Sequence, residues 1–194
     1  MARWEPDSRG RLQEAALALF VEQGYDQTTV AQIADRAGVT ERTFFRHFAD
    51  KREVLFAGGA GLQELMLDGL GSTPADAAPL DAVGAALHAT TPMFAKLRPF
   101  SARRAGVVAA HAELRERELL KLTSLAEALA GALRDRGVAE PAASLAAQTG
   151  LAVFHVAFGR WIEETGPDGT GPHDFSHHLD EALATLVSVA GPRR

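Results

Sequence analysis

Apolar residues recur along this chain at the three- and four-residue spacing of amphipathic helices, and no stretch shows the alternation of a β-strand. Capping residues, glycines and prolines divide the pattern into about nine helices. The chain has 194 residues, which is enough to bury a sizeable core. The pattern therefore predicts an all-α protein, with a small three-helix head over residues 1–56 and a larger helical body over residues 57–194.

Individual residues indicate where the helices begin and end. The first helix should begin at Asp7 or Ser8 and end at Gly24. A fourth helix, capped by Asp50, should continue to Leu70 across several glycines, each of which costs about 1 kcal/mol of helix stability relative to alanine. After a linker at residues 71–79, further helices are expected over residues 80–97, 100–110, 113–136, 141–164 and 174–191.

Two short helix patterns joined by a tight turn lie in residues 28–56, TTVAQIADRAGVTERTFFRHFADKREVLF. Either Thr28 or Thr29 can cap the first helix by accepting a hydrogen bond from a backbone N–H. Gly38 can take the left-handed conformation that ends this helix, and Thr40 can cap the next one. The spacing predicts a helix-turn-helix unit.

The second of these helices should present polar and basic side chains to solvent, because Phe44 and Phe48 lie four residues apart on its buried face. An exposed helix of this composition fits the major groove of duplex DNA, where Arg42 and Thr43 are expected to contact base edges. The full set of candidate DNA-contacting residues is Thr28, Thr29, Thr40, Glu41, Arg42, Thr43, Phe45, Arg46, His47 and Lys51.

The block GVTERTFFRHFADKREVLF, preceded by TVAQIADRA, resembles the helix-turn-helix head of TetR-type bacterial transcriptional regulators. The resemblance covers about the first quarter of the chain. It implies an N-terminal DNA-binding domain and a C-terminal helical domain for ligand binding and dimerisation. Where the family has a small residue and a tyrosine, this chain has Thr43 and Phe45, so the hydroxyl that a tyrosine offers to a phosphate is missing.

The charge of the chain does not suit a protein that coats nucleic acid, because the net charge is −5 and the isoelectric point is near 5.8. Arginine, lysine and histidine side chains nevertheless cluster on and just after the second helix, from Arg42 to Arg52, and can form a local positive surface. His47 and Lys51 in this region, together with Thr29 ahead of the first short helix, are expected to bind phosphates.

Composition and patterning indicate a cytoplasmic protein with no membrane association. Cysteine is absent, which rules out a disulfide framework and suits a reducing compartment. The N-terminus is too charged for a secretory signal, and the longest apolar stretch, residues 151–159, is interrupted by His155. Gly-rich phosphate loops, G-x-S-x-G turns and H-E-x-x-H motifs are also absent, so we expect neither a cofactor nor an enzyme.

The helix expected over residues 142–161 is apolar on nearly every face, so it should be buried all round. It therefore needs packing partners on two opposite sides. A second subunit on one side and the interior on the other would satisfy it, and the resembled family also dimerises here. The alternative is an ordinary monomer core. The candidate dimer residues are Leu145, Gly150, Leu151, Leu179, Leu183, Leu186 and Val187.

The interior of the body is the expected place for a small-molecule ligand, since bulky apolar side chains occur there with a few polar atoms. His111 and His155 would be buried neutral imidazoles that can offer a hydrogen bond to a ligand. The alternative for each residue is core packing. The candidate lining is Met93, Phe94, Phe100, Val107, His111, Leu122, Leu125, Phe154, His155, Phe158 and Trp161.

Three histidines near the last helix suggest a metal site, because His173 and His177 have helical spacing. Gly171 and Pro172 place His173 ahead of the helix, however, and no neighbouring ligand set is evident in the sequence, so surface histidines and no metal site are expected. The leading interpretation is a repressor that binds an inverted-repeat operator as a homodimer and is released by a small, mainly apolar effector. The alternative is a helical small-molecule-binding protein or enzyme without DNA function.

Overall fold

The computed structural model describes residues 7–165 and 170–191, and within these ranges it contains helices and no strand. The predicted all-α fold class is confirmed. The described helices are α1 Ser8–Gln23, α2 Val30–Arg36, α3 Glu41–His47, α4 Glu53–Phe56, α5 Gly59–Gly71, α6 Pro79–His88, α7 Thr91–Ala110, α8 Ala112–Asp135, α9 Ala142–Glu163 and α10 Phe175–Val189.

The first helix begins and ends where the sequence predicts. The Asp7 carboxylate accepts a hydrogen bond from the backbone N–H of Gly10 at 2.8 Å, which caps the start of α1. At the other end Gly24 has a φ of 89°, a conformation that a side chain disfavours. One face of α1, including Leu12, Ala16 and Phe20, is buried.

The single fourth helix predicted from Asp50 to Leu70 is wrong, because the structure divides it into α4 and α5 with a break at residues 57–58. The N-cap of α4 is Arg52 rather than the predicted Asp50, although Asp50 Oδ1 accepts the backbone N–H groups of Arg52 and Glu53 just ahead of the helix. The low helix propensity of the adjacent glycines Gly58 and Gly59 accounts for the break.

The boundary predicted at Pro99 is also wrong, because α7 runs through this proline. The preceding break lies at residues 89–90, where the buried Thr90 hydroxyl donates to Leu87 O at 2.7 Å and the Thr90 carbonyl accepts from Met93 and Phe94. A proline inside a helix costs one N–H hydrogen bond. Burial of apolar side chains on both sides of it compensates for this loss.

Residue contacts divide the described chain into two compact units. The first unit holds residues 7–59 together with Arg103–Glu118, which is the end of α7 and the start of α8. The second unit holds Ala60–Ala102 and the described residues from Leu119 onward. The sequence pattern did not indicate that residues 103–118 pack with the head. The predicted domain division after residue 56 stays a prediction.

The core of the second unit is built around α9, which packs against α6 and α10. The packing against α6 is close: a Cβ added to Gly150 would overlap the side chain of Val83. By length and composition α9 would also suit a membrane-spanning helix, but Ala147, Ala157 and Trp161 are buried within this unit. We therefore describe α9 as the core helix of the second unit.

Candidate functional site

Reciprocal hydrogen bonds fix the start of α2. The Thr29 hydroxyl accepts from the backbone N–H of Gln32 at 3.3 Å, and the Gln32 side-chain oxygen accepts from the backbone N–H of Thr29 at 2.9 Å. This arrangement satisfies two N–H groups that the first turn of a helix leaves free. The capping residue of α2 is therefore Thr29 rather than Thr28.

The turn after α2 is set by one glycine and two backbone hydrogen bonds. Gly38 has a φ of 67°, and its N–H donates to Asp35 O at 3.0 Å. The next N–H, of Val39, donates back to Ala34 O at 2.9 Å. This pair of bonds is the usual way to end a helix with a left-handed glycine. It turns the chain sharply into α3.

The third helix is anchored from below and exposed on its other side. The Thr40 hydroxyl caps it by accepting from Thr43 N at 3.2 Å, while Phe44 is fully buried and Phe48 nearly so. Thr43 is half-buried, with its hydroxyl 3.1 Å from that of Thr40. Four residues of the predicted set share the exposed face, which we call the reading face: Glu41, Arg42, Phe45 and Arg46.

The reading face combines guanidinium groups with one large apolar ring. The Phe45 side chain is 55% exposed, although its ring lies edge-on to that of Phe44 at 5.4 Å. Arg42 is exposed and makes no ion pair with the residues that the structure describes. A guanidinium can bind the O6 and N7 of guanine, and an apolar ring can contact the methyl group of thymine. The face therefore offers both kinds of group that read base edges.

His47 joins α3 to α1. Its Nε2 lies 2.8 Å from the Ser8 hydroxyl, and Arg46 Nη2 lies 3.4 Å from the same nitrogen. The ring is half-buried. These contacts orient α3 relative to α1. Phosphate binding by His47 stays a prediction, and it would require Nε2 to give up or share its hydrogen bond with Ser8.

Lys51 is engaged within the head rather than projecting from it. Its ammonium group donates to the carbonyl oxygens of Tyr25 at 2.8 Å, Thr28 at 3.1 Å and Asp26 at 3.3 Å. It also lies over the Tyr25 ring, 4.3 Å from the centroid. An ammonium group has three N–H donors, and all three have acceptors here. Phosphate binding by Lys51 would therefore require one of these bonds to be exchanged.

Thr28 is not accessible to DNA in this structure, contrary to its place in the predicted set. Its side chain is almost fully buried. The hydroxyl donates to Gly24 O at 2.8 Å and accepts from the Gln23 amide at 3.2 Å. This internal bonding stabilises the corner between α1 and α2, a structural role that its position beside a capping threonine did not reveal.

The same corner contains Tyr25, which the sequence reasoning missed. The residue is buried, and its ring lies 5.1 Å from that of Phe20 and 5.1 Å from that of His111. Burial, followed by a hydrogen bond to Glu113, raises the pKa of the phenol above its ordinary value. His111, whose ring contacts Tyr25, belongs to the first unit. Val107 belongs to the same unit, and its carbonyl oxygen lies 2.9 Å from His111 Nδ1. The other predicted ligand-lining residues belong to the second unit, and ligand binding by His111 or Val107 stays a prediction.

Three arginines bind the 103–118 segment to the head helices within the first unit. Arg104 donates to Leu55 O at 2.7 Å and to Glu118 at 2.8 Å. Arg117 pairs with Glu53 on α4 at 2.6 Å, and Arg103 reaches α1. Because Arg104 is largely buried, its hydrogen bonds are less weakened by solvent than those of exposed pairs.

Four of the predicted ligand-lining aromatics form a packed cluster in the second unit: Phe94, Phe154, Phe158 and Trp161. Their common neighbour is Phe175, which the sequence reasoning missed and whose ring lies 4.8 Å from that of Phe94. Phe154 and Phe158 stack at 5.9 Å. Met93 packs against the cluster, Leu125 is buried in the same core and Phe100 is half-buried. In this structure these aromatic rings pack against one another in the core of the second unit.

A surface groove of about 470 Å³ lies between α8 and α9 in the second unit. It contains two predicted ligand residues, Leu122 and His155. The expectation that His155 is buried is wrong, since its side chain is exposed at the groove. The remaining lining residues are Leu119, Thr123, Ala126, Glu127, Ala130, Arg134, Ser144, Gln148, Leu151 and Ala152.

The predicted dimer residues fall into two groups. Gly150, Leu151 and Leu179 are buried inside the protomer, which corrects their assignment to an intersubunit surface. Leu183 and Leu186 are partly buried against the same core. Two remain on the outside, Leu145 at 60% and Val187 at 69% exposure. Two neighbours absent from the prediction, Val156 and Val189, are also exposed.

Residues 12–57 match the family model described as bacterial regulatory proteins, tetR family. Over 82 residues the chain is 45% identical to the HTH-type transcriptional regulator TcmR of Streptomyces glaucescens, a match that covers 42% of this chain and 36% of TcmR. Over 47 residues it is 47% identical to the HTH-type transcriptional repressor KstR2 of Mycobacterium tuberculosis, covering 24% of each chain. The chain thus spans about a third or less of these relatives.

The similarity of the fold extends over nearly the whole chain. Superposition on SmeT in its complex with triclosan gives a TM-score of 0.62 at 21% identity, and covers 94% of this chain and 90% of SmeT. At this identity the likeness concerns the fold. The family match falls on the helix-turn-helix whose caps, turn and reading face are described above. The helix-turn-helix head of the chain is therefore similar to that of the tetR family of bacterial regulatory proteins, and the fold of the whole chain is similar to that of SmeT.

Proposed function

We propose that the protein is a cytoplasmic transcriptional repressor that binds an inverted-repeat operator as a homodimer and is released by a small, mainly apolar effector. The observation that carries the proposal is the reading face, in which Arg42, Phe45 and Arg46 are exposed on a helix held by two buried phenylalanines. Such a helix can enter the major groove with its side chains already positioned. The relatives of the head are transcriptional regulators, and none of them is named as an enzyme.

Dimerisation is supported by apolar side chains on the outside of α9 and α10. Leu145, Val156, Val187 and Val189 are each more than half exposed, although the helices that carry them are the core pair of the second unit. Exposed apolar side chains on a pair of neighbouring helices are candidates for an interface. A twofold dimer presents two reading heads to two half-sites, which is why the operator should be an inverted repeat.

Effector binding is supported by the groove between α8 and α9. Its volume of about 470 Å³ lies within the range of small-molecule sites. Apolar side chains from α8 and α9 share its lining with six polar or charged residues: Thr123, Glu127, Arg134, Ser144, Gln148 and His155. SmeT, which has the same fold, is known in complex with triclosan, a small molecule. A ligand of that size and mainly apolar character would match this groove.

Helix α8 would couple ligand binding in the groove to the release of DNA. Its first turns belong to the first unit, where Arg117 pairs with Glu53, and its later turns line the groove. A ligand that prefers one position of this helix shifts the equilibrium by its difference in affinity between the two states. A coupling of about 1 to 3 kcal/mol would release DNA by roughly 5 to 150-fold.

The experiment is selection of bound fragments from genomic DNA, followed by affinity measurements on the selected duplex and a scrambled one. We expect a palindromic site, a stoichiometry of two chains per site and competition by an effector. In vitro transcription from the selected promoter should fall when protein is added and recover with effector. Equal affinity for both duplexes would refute the DNA-binding proposal, and increased transcription would refute repression.

A further inference from the structure

Two histidines and a glutamate converge where the chain passes from α9 to α10. Glu164 Oε2 lies 3.1 Å from His173 Nδ1 and 3.3 Å from His178 Nε2. The ligand atoms of all three residues lie within 4.8 Å of one another. Glu164 follows the last residue of α9, His173 precedes α10, and His178 is in its first turns. The sequence placed His173 outside the helix correctly, but it gave no sign that Glu164 would meet both histidines.

His178 provides the second observation. Its side chain is 1% exposed, yet neither ring nitrogen makes a hydrogen bond with the residues that the structure describes. His178 Nε2 lies 3.3 Å from the Glu164 carboxylate, but the angles between the two groups do not suit a hydrogen bond. Burying a polar nitrogen without a partner destabilises the folded state. A cation bound to Nε2 would remove that cost for one of the two nitrogens.

The donors are those of a transition-metal site. Without an ion, His173 donates a hydrogen bond from Nδ1 to the Glu164 carboxylate at 3.1 Å. In the other neutral tautomer the Nδ1 lone pair faces the carboxylate, and both atoms can then bind one cation. Tetrahedral zinc with bonds near 2.0 to 2.1 Å places its ligands roughly 3.3 Å apart, which is close to both distances to Glu164. The two histidine nitrogens lie within 4.8 Å of each other, so binding would draw them closer together if they lie farther apart than about 3.3 Å. Magnesium and calcium prefer oxygen ligands alone. We propose that Glu164, His173 and His178 bind one divalent transition-metal ion of the zinc type, with a fourth position open to water.

The surrounding hydrogen bonds hold the three ligands in position. Arg98 donates from Nε to the Thr165 hydroxyl at 3.1 Å and from Nη1 to the His173 carbonyl at 2.8 Å. Its guanidinium lies over the Trp161 ring at 5.1 Å. Arg98 thus fixes the backbone beside Glu164 and at His173 through oxygen acceptors. Asp174 caps α10 by accepting from His177 N at 3.0 Å, which sets the position of the following turn.

The bound ion would join the end of α9 to the start of α10, the two helices at the core of the second unit. This proposal does not depend on the proposed function, since it concerns only residues of the second unit. Its consequence is a gain in stability by mass action, because the site forms only when both helices are in place. At free zinc about 100 times the dissociation constant, we expect the midpoint of thermal unfolding to rise by roughly 5 to 10 °C.

The test uses the full chain without a histidine tag, freed of metal by a chelator and then dialysed. Zinc binding is measured by calorimetry, and cobalt is added as a spectroscopic probe of tetrahedral coordination. Wild type should bind one zinc per chain, while magnesium should not bind. His173→Ala and Glu164→Gln, both at partly exposed positions, each remove a proposed ligand and should weaken zinc binding by more than about 100-fold. Loss of a residue that only hydrogen-bonds to a metal ligand typically weakens binding by about 10 to 100-fold.

The matched control is His177→Ala. His177 stacks on His173 at 4.0 Å and pairs with Glu181, but it lies outside the three-residue set. Its loss should leave the zinc affinity within a few fold of wild type. Equal losses in His177→Ala and His173→Ala would show that surface histidines bind the ion, and would overturn the proposal. Failure of wild type to bind either zinc or cobalt more tightly than the Glu164→Gln protein would overturn it as well.

Discussion

Two basic residues of the head, Arg42 and Lys51, differ in whether their N–H donors are free to bind a partner. The Arg42 guanidinium is exposed and its donors are available to a ligand. The Lys51 ammonium already donates to three carbonyl oxygens around Tyr25. Sequence alone treats them as similar charges near one helix. The structure separates a residue suited to reading DNA from one that holds the corner between α1 and α2.

Replacing Arg42 by alanine should reduce discrimination between operator and scrambled DNA. A good bidentate contact to a base contributes about 1 to 3 kcal/mol of discrimination. We expect a loss of roughly 5 to 150-fold in the ratio of the two affinities, measured by fluorescence anisotropy at a fixed salt concentration. Arg36→Ala is the control, since it removes the same charge from α2, where Arg36 pairs with Glu22. An unchanged ratio in Arg42→Ala would contradict the base-reading role.

Asp50 should make the head less stable as the pH falls. A hydrogen bond from the Arg52 side chain, with backbone N–H groups of Arg52 and Glu53, lowers the pKa of this carboxyl in the folded state. Its stabilising contribution is therefore complete above the unfolded-state pKa and is lost as the pH falls through the folded-state pKa.

Asp50→Asn isolates this charge, because asparagine can still cap the helix. Its unfolding free energy from urea titration should be below that of wild type near neutral pH, and the difference should vanish well below the carboxyl pKa. Asp76→Asn, in an exposed turn, controls for the loss of one negative charge. A difference between wild type and Asp50→Asn that persisted in acid would point to packing instead.

At the scale of the elements, sequence predicted best where local chemistry decides. The caps of α2, α3 and α10 and the glycine turn at Gly38 depend on neighbouring residues, and the structure contains all of them. The break at Thr90 and the continuation through Pro99 depend on which side chains are buried elsewhere in the fold. For the same reason, the sequence did not predict that Phe175 joins the aromatic cluster or that Glu164 lies beside two histidines. Periodicity shows that a face is apolar, but not which surface covers it.

The same substitution should have opposite effects in two helical contexts. Gly38 has a φ of 67° and ends α2, so Gly38→Ala should destabilise the protein by about 1 to 2 kcal/mol through left-handed strain. Gly61 lies inside α5 with open space where a Cβ would be placed, so Gly61→Ala should stabilise it by about 0.5 to 1 kcal/mol. Urea unfolding of both variants measures the difference. Two changes of the same sign would contradict either the left-handed strain at Gly38 or the open space beside Gly61.

The whole molecule combines an acidic chain with a local cationic face. The net charge of −5 makes nonspecific attraction to DNA weak, so the proposed operator binding would need affinity from geometry and from two heads acting together. Pairing of two chains is then a condition for tight binding. The exposed apolar side chains of α9 and α10 are the surface at which that pairing should occur.

A charge on this surface should separate the subunits. Val187 is 69% exposed on α10, so Val187→Asp should leave the fold of the protomer intact while placing an unpaired carboxylate in the dimer interface. Sedimentation at low concentration should show a shift from dimer to monomer. Operator affinity should fall with it, because each monomer contacts a single half-site. Val21→Asp is the matched control, since Val21 is 55% exposed on α1, outside the proposed interface. If Val187→Asp sedimented as an unchanged dimer, the subunits would have to pair through another surface, and the operator geometry derived from α9 and α10 would change with it.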